Sequence, residues 1–386
     1  MTKGSSVIFP QFTVGLAAIV KNEIDYILEW ISYHQNMGVD KFYIADNCSD
    51  DGTSQVLEAL HNAGVITRIY FPRVGDTGPQ APAYNQILRD YGPDVDLLAF
   101  IDIDEFIFST NGKSLKENLT PFYQNPEAGA LALNWRNFGS SGHVFKEEGP
   151  VIERFIRCSR KEHKFNKHIK TILKPSMVAR MNIHECSLKE GRYYSANMQP
   201  AGFENGEAFE PRTAEVSYEA LRINHYVVKS RQEHFLNKDR KGSGAGSASR
   251  RKGQAYFQGH DLNDEVDEGM LPYVSAVKAR IQELKNLLVH DSPYMSFGQG
   301  HVTIRGNIVS GWAVSEFTGN LKIRLLINGV EQLVDVDRER PDVIGKRISQ
   351  KLVCGFWYQH DRELTEEDRV SATIYGSNVE CQVNRA

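Results

Sequence analysis

Cysteine is scarce in this chain: five in 386 residues, Cys48, Cys158, Cys186, Cys354 and Cys381, odd in number, widely spread and never as CxxC. That excludes a disulfide framework and a structural zinc knot, and a reducing, cytoplasmic compartment is the simplest home for it. Long apolar runs are missing too. The longest early one, 12–20, is far short of the roughly 20 residues that a bilayer requires. Only Lys3 precedes it, no convincing cleavage site follows, and Phe12, Val14 and Leu16 alternate. It is read as a first strand rather than a signal peptide, and no integral membrane segment is expected. Charge of one sign is also lacking: 45 Lys and Arg stand against 49 Asp and Glu, a net −4, which argues against a nucleic-acid partner. No GxGxxG turn follows the first strand, so a dinucleotide site is excluded. What is present, 41% hydrophobic and 24% charged residues, is an ordinary globular profile of two or three domains.

The first hundred residues repeat a βα unit, with strands expected at 12–20, 41–45, 65–71 and 95–103. Ile24, Ile27, Leu28 and Ile31 mark the first helix, with Gly38 at its C-cap. Val56, Leu57 and Leu60 mark a second that starts near Thr53 and ends at Gly64. Pro79 and Pro82 open a third, followed by Tyr84, Ile87 and Leu88. Alternating elements predict a Rossmann-like, mostly parallel, doubly wound α/β sheet, which binds ligands at the carboxyl ends of its strands. The region 111–255 is less regular. Within it, 229–252 holds eight Lys or Arg against two acids and the run GSGAGSAS at 242–249, read either as a solvated loop or as a lid over a phosphate-bearing ligand. Val274, Val277, Ile281, Leu284 and Leu288 indicate a bridging helix within 256–295. From 296 to 386, alternation at Leu321, Ile323 and Leu325 before Asn328-Gly329 predicts a small all-β sandwich.

Chemistry concentrates at the strand ends. Asp102-Ile103-Asp104-Glu105 closes the apolar run 97–101. Read as strand, Asp102 and Asp104 share one face about 7 Å apart. Two carboxylates leaving a buried strand call for a cation or donors, and a hard divalent ion that also grips a diphosphate satisfies them. The bland alternative is a strand-end cap. Asp46-Asn47-Cys48-Ser49-Asp50-Asp51-Gly52-Thr53 ends the second strand and Lys21-Asn22-Glu23 the first. Three polar clusters thus fall on one edge of one sheet.

Val20-Lys21-Asn22-Glu23, the 46–53 cluster, Asn85 and Asp102-x-Asp104-Glu105 resemble the nucleotide-sugar half of family 2 glycosyltransferases with the GT-A fold. Asn134-Trp135-x-x-Phe138-Gly139-Ser140-Ser141-Gly142-His143 is more specific. With Glu153-Arg154, Lys170-x-Ile172-x-x-Pro175, His184 and Asn224-His225-Tyr226-x-x-Lys229-Ser230 it resembles glycosyltransferase family 92 and its bacterial relatives, over about residues 12–240. The 296–386 segment resembles β modules appended to bacterial surface-polysaccharide enzymes. Its Trp312 is read as core, and Phe356, Trp357 and Tyr358 as core or sugar-stacking residues.

The resemblance implies a domain 1–255, with its nucleotide-sugar half at 12–110 and its acceptor half at 111–255. It implies Asn22, Glu23, Asp46 and Asn85 on the donor nucleotide, Asp102 on the ribose, and Asp104 and His225 on the metal, with His184 in reserve. For His225 the alternative is a satisfied core histidine. Imidazole favours Mn²⁺ over Mg²⁺. Lys170, Lys229, Arg231 and Lys238 are candidates for the diphosphate, and Lys170 is equally readable as part of an exposed basic face. Trp135 and the loop Gly139, Ser140, Ser141 and Gly142 are candidates for the donor sugar or acceptor. Glu153 is the first candidate base, with His143 and Glu185 behind it. Glu153 lacks the second acid usual in family 2, and a salt bridge is its alternative role. The function implied is a metal-dependent, inverting transfer from a UDP-sugar to a hydroxyl of a glycan or lipid-linked glycan, in surface polysaccharide synthesis, with possible peripheral contact at the inner face of the cell membrane. A non-catalytic carbohydrate-binding or scaffold protein and a DxD phosphohydrolase are the competing readings.

Overall fold

The computed structural model describes residues 11–49, 51–73, 78–206, 211–235, 252–291, 298–314, 321–346, 348, 352–375 and 379–386. The chain divides into two compact units, Met1–Ser49 with Gly64–Ile281, and Asp50–Ala63 with Gln282–Ala386. The boundary falls inside the helix Val274–Asp291, which occupies the stretch expected to bridge.

In the first unit, apolar segments form β1 (Val14–Val20), β2 (Lys41–Asp46), β3 (Thr67–Tyr70) and β4 (Leu97–Phe100). They lie in the order β3-β2-β1-β4 and all run parallel. The sheet continues through β5 (Glu105–Ser109), β6 (Ala128–Asn137), β8 (Ile169–Leu173), β11 (Arg192–Ser195) and β12 (Leu221–His225). Antiparallel β8 stands between β4 and β6, then come β12 and β5, while β11 pairs with β6. This is the GT-A arrangement expected, a parallel doubly wound half extended by a mixed one. Smaller pairs join β7 (Arg157–Cys158) to β13 (Glu265–Val266) and β9 (Val178–Met181) to β10 (Cys186–Leu188).

Helix α1 (Ile27–Met37) ends at Gly38, whose φ of 97° is the left-handed cap the sequence called for. Helix α2 (Thr53–Asn62) buries Val56, Leu57 and Leu60. Helix α3 (Gln80–Tyr91) lays Ala83, Tyr84 and Ile87 against Ala17, Tyr43, Leu98 and Phe100. The edge strand β5 is covered by α1 side chains, so its outward polar groups are met. Trp30 Nε1 donates to the Glu105 carbonyl at 2.9 Å and Tyr33 OH to that of Ile107 at 2.9 Å, while the Ile107 N–H donates to His34 Nε2 at 3.2 Å. Burial pushes the His34 imidazole down to about 3, as suits a ring that accepts there.

One expectation fails. The strand read as 95–103 stops at Phe100, and residues 102–105 form a turn, with the Glu105 N–H donating to the Asp102 carbonyl at 3.1 Å. Asp102 and Asp104 therefore do not share a strand face. The pairing of β4 with β1 ends at Ala17–Phe100, and the chain must leave there to reach the far edge of the sheet.

The second unit is all-β apart from α2, the end of the long helix and the short helix Pro341–Gly345. Its strands, β14 (Gln299–Arg305), β15 (Ile308–Val314), β16 (Lys322–Ile327), β17 (Val330–Glu339), β18 (Val353–Gln359), β19 (Val370–Ile374) and β20 (Gln382–Arg385), follow the order β19-β16-β17-β18-β15-β14-β20. The two edges approach each other where Thr373 bridges Glu380. Val302, Val309, Ile323, Leu325, Phe356 and Ile374 fill the interior. Asn328 and Gly329, at φ 50° and 83°, make the predicted hairpin turn. Trp312 is half-buried against Val314, Val343 and Cys354, and Trp357 is 41% exposed.

A Cβ at Gly311 would collide with the His301 carbonyl oxygen and press on the Phe356 ring. Gly311→Ala is therefore expected to cost about 2–3 kcal/mol, read as a lower urea midpoint for the transition of the second unit.

Candidate active site

Where β4 ends, three charged groups converge. Lys170, from β8, has no exposed surface, and its Nζ lies 3.0 Å from Asp102 Oδ2 and 3.6 Å from Glu105 Oε2, itself fully buried. The ammonium also donates to the Ile183 carbonyl at 3.3 Å. Asp102 Oδ1 accepts from Gln80 Nε2 at 2.7 Å and Tyr84 OH at 3.2 Å, so α3 holds one oxygen and Lys170 the other. About a third of the Asp102 side chain stays accessible. Burial alone would raise the Asp102 carboxyl, yet the Lys170 ammonium outweighs it and holds it below its usual range. For Glu105, burial wins over Lys170, aided by the Asp102 and Asp104 carboxylates, and pushes it up to about 8. Burial pulls Lys170 down, but the two carboxylates more than offset it and hold the ammonium above its ordinary value.

Asp104 stands at the other end of the turn. Its carbonyl accepts from the Tyr226 N–H at 2.8 Å, and its Oδ1 lies 3.7 Å from His225 Nε2. The Trp135 ring packs on three imidazoles: His225 at 4.4 Å, His168 at 4.8 Å and His184 at 5.4 Å between centroids. Burial, helped by Lys170, drives His184 down to about 3, so it is neutral. His184 and Glu185 sit on the turn between β9 and β10, where the Glu185 carboxylate accepts from Asn182 Nδ2 at 2.6 Å. A cavity of about 490 Å³, lined by Pro82, Asn85, Arg180, Asn182 and Ile183 among others, shares Ile183 with this group.

At the ends of β1 and β2, Asn22 takes φ 55° and its N–H donates to Ser49 Oγ at 3.0 Å, joining the two strands. Glu23 accepts on its carbonyl from Tyr26 and Ile27, opening α1. Asp46 is fully buried, with Arg68 at 2.7 Å and the Ser49 N–H at 3.2 Å. The Asn85 amide fastens α3 to β9: Nδ2 donates to the Ala81 and Met181 carbonyls and Oδ1 accepts from the Met181 N–H.

The remaining candidates make contacts of their own. The Gly139–Gly142 loop makes its close approach to its own chain: a Cβ on Gly139 would meet the Leu262 carbonyl and Asn263 Oδ1 at 2.5 Å. Ser140 and Ser141 N–H groups donate to Asp261 and Asn263, and Gly142 N–H to Ser140 Oγ. His143 is held by the Arg154 carbonyl at 3.1 Å and Glu147 at 3.0 Å. Glu153 forms an ion pair with Lys278 at 2.7 Å. Its neighbour Arg154 pairs in two-pronged fashion with buried Glu233, which also accepts from Tyr26 OH. Lys229 is buried over the Tyr26 ring at 4.3 Å and Arg231 reaches Gln254 at 3.5 Å. Lys238 and the 242–249 run lie outside the described residues.

Residues missed from sequence are Gln80, Tyr84 and Glu105 as partners of Asp102. The i, i+4 spacing of Gln80 and Tyr84 on one face of α3, and the acid directly after DxD, were the signals.

The sequence model of glycosyltransferase family 92 matches residues 11–237. The chain belongs to this family. A glycosyltransferase family 92 protein of Oryza sativa subsp. japonica is 27% identical over 181 residues, 46% of this chain and 30% of the relative. One from Ricinus communis is 28% identical over 190 residues, 47% and 33% respectively. The family 92 chain thus spans about a third of the length of these curated relatives. Among solved structures, S. aureus TarS 1–349 in complex with UDP-GlcNAc is similar over 43% of this chain and 46% of that one, at 17% identity and a TM-score of 0.30. Glucosyl-3-phosphoglycerate synthase from Mycobacterium tuberculosis, in complex with Mn²⁺, UDP-glucose and phosphoglyceric acid, gives 43%, 58%, 14% and 0.27.

Glu29 of α1 accepts the N–H groups of Val151 and Ile152, and burial pushes its carboxyl from 4.5 up to about 7. An unfolded chain releases this proton near pH 4.5, the folded one near 7. Across that window the folded state binds more protons, so stability falls as pH rises and levels off above 7. Glu29→Gln should remove a slope on the order of 3 kcal/mol over that window, measured by urea unfolding at pH 4.5, 6 and 8.

Proposed function

We propose that the chain transfers a sugar from a UDP-sugar, with inversion, to a hydroxyl of a glycan or lipid-linked glycan, as in surface polysaccharide synthesis. The observation that carries this reading is the pairing of Asp104 with His225, 3.7 Å apart, beside an Asp102 whose oxygens are held by three donors. Family membership supplies the reaction class.

A divalent metal fits these residues. Asp104 and His225, 3.7 Å apart, would supply a carboxylate and an imidazole ligand, and among the described residues no third His, Cys, Asp or Glu is grouped with them. A carboxylate with an imidazole favours Mn²⁺ over Mg²⁺. When bound, the metal supplies positive charge against the diphosphate leaving group. Asp102 meets the ribose, and Asn22, Glu23 and Asp46 border the base. Lys229 and Arg231, on the segment after β12, are the cations proposed to offset the diphosphate charge, Lys229 from its place over the Tyr26 ring and Arg231 from its place beside Gln254. Of the three candidate bases, Glu185 has the most support, because its turn also supplies the Ile183 carbonyl to Lys170. Among the described residues no helix is long and apolar enough to cross a membrane, and a cytoplasmic site of action with peripheral membrane contact is part of the proposal.

UDP release from UDP-sugars, with Mn²⁺ and with EDTA, tests this. Asp104→Asn is expected to lower kcat/KM by on the order of 10²–10³-fold, and EDTA to abolish turnover. Metal-independent turnover untouched by the substitution would point to a phosphohydrolase, and no donor binding at all to a scaffold. Anomeric proton signals of the product check inversion.

A further inference from the structure

We infer that Glu105 is a positioning residue that holds the Asp102–Asp104 turn as a hydrogen-bond acceptor, while Lys170 serves as the internal counter-ion of Asp102. The consequence for metal and donor rests on the function proposed above.

One cation and two carboxylates share this place, and their distances divide the work. Lys170 Nζ is within bonding range of Asp102 Oδ2, at 3.0 Å, but not of Glu105 Oε2, at 3.6 Å. Glu105 Oε2 instead accepts from the Asp102 N–H at 2.8 Å. Its Oε1 is buried with no hydrogen-bond partner among the described residues. An orphaned buried carboxyl oxygen costs stability, and a buried ionic group is often replaced by an apolar one without loss. Stability alone therefore does not account for an acid at this position.

Its contacts account for it. The side chain reaches back to the amide of Asp102, its own N–H donates to the Asp102 carbonyl, and Trp30 Nε1 donates to both the Asp102 and Glu105 carbonyls. The turn is tied on both sides. Glu105 also opens β5 in register with His225 of β12. One residue thereby sets Asp102, which α3 and Lys170 hold, against the Asp104–His225 pair. An acceptor atom at position 105 is what the turn needs, and positive charge is needed at 170.

Glu105→Met keeps the unbranched length and removes the acceptor, whereas Glu105→Gln restores it without the charge. Amide hydrogen exchange of a peptide covering 97–110, taken without metal, reads the turn directly. Glu105→Met is expected to speed exchange there by about tenfold or more and to weaken Mn²⁺ binding by roughly 10–100-fold, lowering kcat more than it raises KM. Glu105→Gln is expected to recover slow exchange, most of the Mn²⁺ affinity and most of kcat. Lys170→Met should weaken Mn²⁺–UDP binding even with the 105 acceptor in place. The inference is overturned if Glu105→Gln is as impaired as Glu105→Met, or if Glu105→Met lowers only the melting temperature and leaves exchange, metal affinity and kcat unchanged. A wild-type chain that binds neither Mn²⁺ nor UDP would defeat the proposed function, and the exchange comparison would still decide the role of Glu105.

Discussion

A single ammonium, Lys170, makes the carboxyl edge of this sheet possible. Without it, the Asp102 carboxylate would stand beside the fully buried Glu105 carboxyl with no counter-charge at hand, where burial magnifies the cost of an unpaired charge. The strand that brings it, β8, runs antiparallel between β4 and β6. The mixed half of the sheet thus supplies the charge that the parallel half requires. Other elements meet around the same point: Gln80 and Tyr84 from α3, Trp30 from α1, and Ile183 from the turn after β9.

The edge strand carries this order onward. An exposed β5 would offer unpaired backbone groups to solvent or to another chain. Instead Trp30, Tyr33 and His34 meet them on one side, and β12 pairs with them on the other. His225 ends β12, so the covering of an edge also fixes one member of the pair on which the functional reading depends. Trp135 then braces that imidazole against the two others.

A second buried network, Arg154, Glu233 and Tyr26, with Lys229 stacked on the Tyr26 ring, occupies the region where several acceptor-side candidates were expected. It ties α1 to the segment after β12. The Gly139–Gly142 loop does similar work, spending its backbone donors on Asp261 and Asn263. Some of the motif residues thus spend their polar groups on holding neighbouring backbone in place.

Periodicity and punctuation alone determined the order of strands and helices in the first hundred residues, the left-handed cap at Gly38, the Asn328-Gly329 hairpin and the gathering of polar clusters at one sheet edge. These are local properties, written within a few residues of where they act. Only the tertiary structure decided that β4 stops at Phe100, that Lys170 is internal, that Asn85 fastens α3 to β9, and that Glu153 turns to Lys278. Each depends on a partner about 70 to 125 residues away. A charged side chain bears no local mark of which distant group will neutralise it, because that choice is made by the packing that brings the two together.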